Sequence, residues 1–302
     1  MIPGMKRYRV MAMDFDARAN LLAIEANEEW SPEAKEALLN NKAAIRERLL
    51  VTYGTADFDS KLENFVALGA APFSLVAFHN QFFNQARSAF VVGSYHPALT
   101  GICALGERVL NHLILALRND YQHTDEYKRV YNKDSFDNWD VPIDALANWG
   151  VILPDATERF RKLRDVRNRT LHFNPETDRD VRSKALGALR LFQEIISAQF
   201  GSHWCPWYIP DAHGLSFVRH EYVNVPFVRR VVLPSCRLVG PAHDVRRLPD
   251  GTWEAIDEQV YPDEHISDEE FIRRFVEAHA PPLPPPAGSE HSDTIAIRTH
   301  DP

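Results

Sequence analysis

Apolar residues three and four positions apart recur along several stretches of the chain and predict helices. From Ser74 to Val92 the set is Leu75, Phe78, Phe82, Ala86 and Phe90, and Gly93 and Pro97 then break the pattern. From Pro97 to about Tyr121 a more apolar stretch includes Leu99, Ile102, Leu105, Val109, Leu113 and Leu117. Its apolar residues extend around much of the helix, as the centre of a bundle requires. A polar connector, 122–140, leads to a short helix from Val141 to Trp149 that Gly150 ends. Asp155 or Thr157 opens the next helix, which runs to about Phe173. Pro175 disfavours helical geometry at Asn174 and stops it there. Pro175 then opens the last long helix, with Asn174 as cap, and Ala185, Leu186, Leu189, Leu191, Phe192, Ile195 and Ile196 give that helix its apolar side to Phe200.

The flanks read differently. Partial alternation over Tyr8–Phe15, followed by Leu21–Ala26 after a polar break, predicts an N-terminal β-hairpin. Ser31-Pro32 opens a helix, with Ser as cap and Pro at the first helical position, and Gly54 ends it after Tyr53. Beyond Gly201, Phe227–Leu233 reads as a strand, and Val245–Leu248 and Thr252–Ile256 read as a hairpin about Pro249-Asp250-Gly251. A short helix, Asp268 to Ala278, precedes a tail containing Pro281-Pro282-Leu283-Pro284-Pro285-Pro286, expected to be extended and disordered. The expected fold is mainly α: a four-helix bundle core with a short N-terminal β-hairpin and helix and a C-terminal β-rich segment. The boundaries fall at 1–58 for the hairpin and helix, 59–201 for the bundle, 202–279 for the β-rich module and 280–302 for the proline-rich tail.

Composition narrows the class. An apolar share of 45% and a charged share of 25% are ordinary for a globular protein. No run of 18 apolar residues is present and the first residues lack the apolar core of a secretion signal, so neither a membrane span nor export is expected. The three cysteines, Cys103, Cys205 and Cys236, are far apart and predict neither a disulfide framework nor a zinc knuckle. A reducing cytoplasm is the expected setting. The net charge of −8 argues against a chain coated in nucleic acid. Between Arg159 and Arg190, however, ten Lys/Arg face four Asp/Glu. Such a segment is either a local phosphate-binding face or a solvated helix face laced with ion pairs.

The basic segment contains Arg167-Asn168-Arg169-Thr170-Leu171-His172. At about 100° per residue, Phe160, Leu163, Val166, Thr170 and Leu171 cover one broad side of the helix. Arg167 falls within that arc, where an unpartnered guanidinium is costly. Arg164, Asn168 and His172 share a neighbouring row at four-residue spacing. Glu107 sits on the apolar central helix, where an unpaired carboxylate is equally costly, so Arg167 and Glu107 are expected within salt-bridge distance. His172 stands next to the forced break at Asn174-Pro175.

This pattern resembles the HEPN superfamily, helical bundles found in RNases of toxin–antitoxin and antiviral systems. Its signature is Arg, often followed by a polar residue, with four to six residues between the Arg and a His. The likeness spans roughly 60–201 and includes the helix carrying Ala104–Leu110. It implies that Arg167, Asn168 and His172 form a ribonuclease site that needs no metal or other cofactor, with Glu107 and Arg164 in support. The site in such ribonucleases is composite across a dimer, so RNA and a second copy of the chain are the implied partners. A stress-response or phage-defence setting is implied with them. The competing expectation is a non-catalytic dimerisation module whose C-terminal segment holds a protein partner. In it Arg167 and Glu107 merely staple the bundle and His172 caps a helix C-terminus.

Other signals carry less. Asp14-Phe15-Asp16 follows an apolar strand, as in haloacid-dehalogenase-like phosphatases, but Ala17-Arg18 stand where those enzymes need a Thr or Val, so the motif reads as a strand end. His203, His213, His220, His243, His265 and His279 form no metal-ligand spacing. Trp204, Trp207 and Tyr208 have the chemistry to stack on bases, yet such a cluster is more often the core of a small module.

Overall fold

The computed structural model describes residues 4–12, 14–75, 77–170, 179–201, 205–210, 212, 215–249 and 252–280. Strands β1 (Arg7–Val10) and β2 (Asp14–Asp16) precede helices α1 (Arg18–Ala23), α2 (Pro32–Tyr53) and α3 (Phe58–Leu68). Strand β3 (Ala71–Ser74) leads into α4 (Ala77–Val91) and α5 (Tyr95–Leu117). After α6 (Asp125–Val130) and α7 (Asp140–Asn148) come α8 (Pro154–Thr170) and α9 (Val181–Phe200). The last third carries β4 (Phe217–Val218), β5 (Cys236–Val239), β6 (Asp244–Arg247), β7 (Trp253–Ile256) and α10 (Asp268–Ala278). The chain is therefore mainly helical, with small antiparallel sheets.

The four longest helices of 77–200 pack on one another, with α5 touching α4, α8 and α9, and α9 touching α4 and α8. The apolar circumference of α5 explains its central place: Ile102, Cys103, Leu105, Leu110, Ile114 and Leu117 are fully enclosed. By length and composition, Tyr95–Tyr121 is also apolar enough to cross a membrane, although charged and polar residues interrupt its apolar run; 56% of its most apolar 18-residue window is buried within the fold. The end signals of α2 hold as expected. Ser31 accepts a hydrogen bond from the Ala34 amide, and Gly54 takes a positive φ of 76° just beyond the helix.

Three local expectations are corrected. The N-terminal residues form no hairpin. β1 is the middle strand of a three-stranded sheet, antiparallel to β4 on one side and β5 on the other. β2 pairs with β3, and Leu21–Ala23 lie in α1. Short alternating segments pair with whatever edge is free, and their partners lie far along the chain. Phe227–Leu233 is not a strand but a π-helical turn, Val228–Val232, continued by a 3₁₀ turn. Its Val228 and Val232 are buried four positions apart, a helical spacing that a run of β-branched residues conceals. Helix α9 begins at Val181 after Asp180, whose φ of 56° breaks the backbone, and not at Pro175. The expected cap at Asn174, and the proline-rich tail, lie outside the described residues.

The C-terminal hairpin of β6 and β7 and the helix α10 stand where expected. A second small core of Ile209, Phe217, Val239, Phe271 and Phe275 joins α10 to the sheet. Arg7 on β1 is buried and ion-paired with Asp268 at 2.6 Å, so the first strand is also tied to α10.

One close approach in the bundle is decided by a glycine. A Cβ on Gly106 of α5 would lie 2.8 Å from Leu163 of α8 and 2.8 Å from the Trp139 ring. Gly106→Ala is expected to cost about 1–3 kcal/mol through overpacking. Urea unfolding followed by circular dichroism checks this; an unchanged midpoint would show that Trp139 can yield.

Candidate functional site

Helix α8 positions the candidate residues. Ala156, Phe160 and Leu163 are buried on its inner side, and its last turn carries Arg167, Asn168, Arg169 and Thr170. Arg167 follows Phe160 and Leu163 by seven and four positions, so it sits on the same inward row near the helix end. There the Arg167 Nη2 lies 3.5 Å from Glu107 Oε2 on α5. The same carboxylate oxygen accepts a hydrogen bond of 3.1 Å from the Trp139 indole N–H. Trp139 is 1% exposed, so the Glu107 carboxylate joins α5, α8 and the chain entering α7. Arg167 Nη1 donates to Asn168 Oδ1 at 3.2 Å, while Arg167 Nε is buried with no hydrogen-bond partner.

Arg164 is directed elsewhere. It ion-pairs with Asp140 and, at 2.9 Å, with Asp165; these hydrogen bonds, Asp165 first, hold its guanidinium more firmly protonated than usual. Asn168 is solvent-exposed. His172 lies outside the described residues, so its distance from Arg167 is not part of the geometry. The nearby thiol of Cys103 is buried, and burial pushes it up to about 11 against the opposing influence of Thr170 and Arg167. It is thus no thiolate nucleophile near neutral pH.

The local surplus of bases is mostly spent on neighbours. Arg159 pairs with Asp155 and Glu194, Arg161 with Asp144, Lys162 with Glu158 and Arg182 with Glu63. Arg190 donates to the Ala67 carbonyl. Acidic residues in the first turns of α8 and on adjoining helices therefore offset a charge that looks uncompensated when 159–190 is read alone.

Two features escaped the sequence. Trp139 sits in a polar connector, and nothing in its spacing marks it as the second partner of Glu107. His79 and His112 meet across α4 and α5, with Nε2 and Nδ1 2.9 Å apart. Their side chains come from stretches whose apolar pattern draws attention away from single polar positions. Among the remaining candidates, Trp207 and Tyr208 are buried at 5% exposure each and present no face for base stacking, while Trp204, His203 and His213 lie outside the described residues. Among the described residues no three His, Cys, Asp or Glu side chains group to hold a metal. Asp14 and Asp16 line a cavity with Arg18 and Arg87.

What the arrangement at α8 can do is hold a guanidinium at a fixed place at the helix end, with one edge toward a carboxylate and the other toward an exposed amide. No family model, no curated protein and no solved structure matches the chain.

Proposed function

We propose that the chain is a HEPN-like endoribonuclease acting without metal, with Arg167, Asn168 and His172 at its site and Glu107 and Arg164 in support. The observation that carries the proposal is the placement of Arg167: an arginine on a core-facing row, tethered to Glu107, in the last turn of the helix that leads to His172. The packing of α4, α5, α8 and α9 fits the bundle that the resemblance implies. In the proposed reaction the RNA 2′-oxygen attacks its own phosphorus and the bond to the 5′-oxygen breaks. The products are a 2′,3′-cyclic phosphate and a 5′-hydroxyl. Arg167 offsets the charge that builds on the phosphate oxygens, and an imidazole takes the 2′ proton or returns one to the leaving oxygen. One imidazole serves one of these two roles. A twofold axis beside α8 would supply the second, which is why the reading includes a homodimer.

A second reading is favoured by a specific observation. The donors of Arg167 are turned to Glu107 and Asn168, and the bases around it are ion-paired. In this reading the residues brace a bundle that dimerises or holds a protein partner through its C-terminal part, without chemistry.

Incubating total RNA with purified protein in EDTA separates the two. The ribonuclease reading expects cyclic-phosphate ends, and a loss of at least about a hundredfold in His172→Ala and in Arg167→Ala. Absence of cleavage, or equal cleavage by His172→Ala, would refute it. A dimer in sedimentation is expected as well, and a monomer that still cleaves would refute the composite site.

A further inference from the structure

Asp14, Asp16, Arg18 and Arg87 stand around one cavity of about 590 Å³ between β2, α2, α3 and α4. The pairing of β2 with β3 shifts register between Asp14 and Asp16, and both residues line the cavity. Asp16 is committed through both oxygens, Asp14 through one. Asp16 holds Arg18 through two hydrogen bonds, Nε to Oδ1 at 3.0 Å and Nη2 to Oδ2 at 2.8 Å, and accepts the Arg18 amide as well. Asp14 Oδ2 accepts from Asn84 at 2.7 Å.

Arg87 is left over. It is 5% exposed, and its charge is felt by Asp16 and Asp14 only through space. Its Nη2 donates to the Gly69 carbonyl at 2.8 Å, while its Nη1 is buried with no hydrogen-bond partner. Phe83 lies under the guanidinium at 5.6 Å, which offsets part of the burial but supplies no acceptor. An unmade hydrogen bond on a buried cation costs more than on a neutral group. The cavity that Arg87 lines is where an acceptor can be added without unpacking the core.

The charge inventory of the walls selects the acceptor. Two guanidiniums and two carboxylates cancel, so a dianion such as phosphate brings an excess charge, whereas a molecule with one positive and one negative group brings none. Phe65, Leu68 and Val91 line the same cavity and give it an apolar side. We infer that this cavity binds a small zwitterion with an apolar body, an α-amino acid with a large apolar side chain, its carboxylate on Arg87 and its ammonium on Asp14. The size lies within the range of small-molecule sites. The site is separate from the one at α8 and does not depend on it.

The probes are L-phenylalanine, L-leucine and L-tryptophan in titration calorimetry on the full chain. At least one should bind saturably below about 10 mM. The analogues 3-phenylpropionate and phenethylamine, which each lack one charge, should bind at least about tenfold more weakly than L-phenylalanine if that is the ligand. Asp14→Asn keeps the Asn84 contact available and should weaken amino-acid binding about tenfold while leaving 3-phenylpropionate unaffected. Arg87→Lys tests the other end; should it fail to fold, Asp14→Asn still decides. No saturable binding by any of the three amino acids, equal binding of a one-charge analogue, indifference to Asp14→Asn, or tighter binding of inorganic phosphate would each overturn the inference.

Discussion

Between pH 6.5 and pH 4.5 the folded chain is expected to lose up to about 4 kcal/mol of stability, at most about 2 kcal/mol from each of two buried histidines. His79 on α4 is 5% exposed, and its imidazole is pushed down from 6.5 to about 4, by burial first and then by His112 and Arg108. His243 is fully buried and is likewise brought down to about 4. Burial is the main cause there. The Gly240 carbonyl opposes it, Arg9 and His279 reinforce it, and Asp257 opposes it weakly.

Both rings are neutral in the folded state, while the unfolded chain takes up a proton on each near the ordinary 6.5. Over this window the unfolded state binds more protons, so stability rises with pH, is full above 6.5 and is lost as pH falls toward 4. Carboxylates such as Asp16, Asp120 and Asp257 are held below their ordinary range, so their contribution is lost mainly below that window. Urea unfolding at pH 7.0, 5.5 and 4.5 measures the slope. His79→Gln and His243→Gln should each remove about half of it. A flat profile in the parent protein would show that both rings gain a solvated route to protonation.

The second large effect is at Glu107. Glu107→Ala is expected to destabilise the chain by about 2 kcal/mol or more, because it strands the Arg167 guanidinium and the Trp139 indole together. Arg167 is 21% exposed and Glu107 30%, so water recovers part of the loss, and the full cost of a deeply buried pair is not reached. Glu107→Gln retains an acceptor for Trp139 and should cost less. Adding Arg167→Ala to Glu107→Ala should restore part of the stability, since the stranded cation is then gone. A double variant as unstable as the sum of the single ones would mean that the two side chains contribute independently. RNA cleavage provides the separate readout. If Arg167 acts on phosphate, Glu107→Gln should reduce cleavage at a temperature where both proteins remain folded.

How far the sequence carried depended on the range of the forces involved. The boundaries of α2, α7 and α10 were legible because caps, glycines and periodicity act within a few residues. The pairing of Arg167 with Glu107 was legible because two charges on apolar faces have few ways to be satisfied. Trp139 was not, because an indole in a polar connector gives no periodic sign of the carboxylate it will meet. The N-terminal strand was recognised but its partners were not, since register between distant strands is written in no local pattern. The basic run was misleading for a related reason: several of its neutralising carboxylates, Asp144, Glu63 and Glu107 among them, come from other helices.

The place of β1 between β4 and β5 has a consequence for the order of assembly. The strand is made before the helices of the bundle, and both neighbours that satisfy its amides and carbonyls come after them. The helices of 77–200 bury apolar faces against one another, and Trp207, Phe227 and Val228 from the C-terminal third complete the same core. During synthesis β1 therefore waits with two open edges until β4 and β5 have been made.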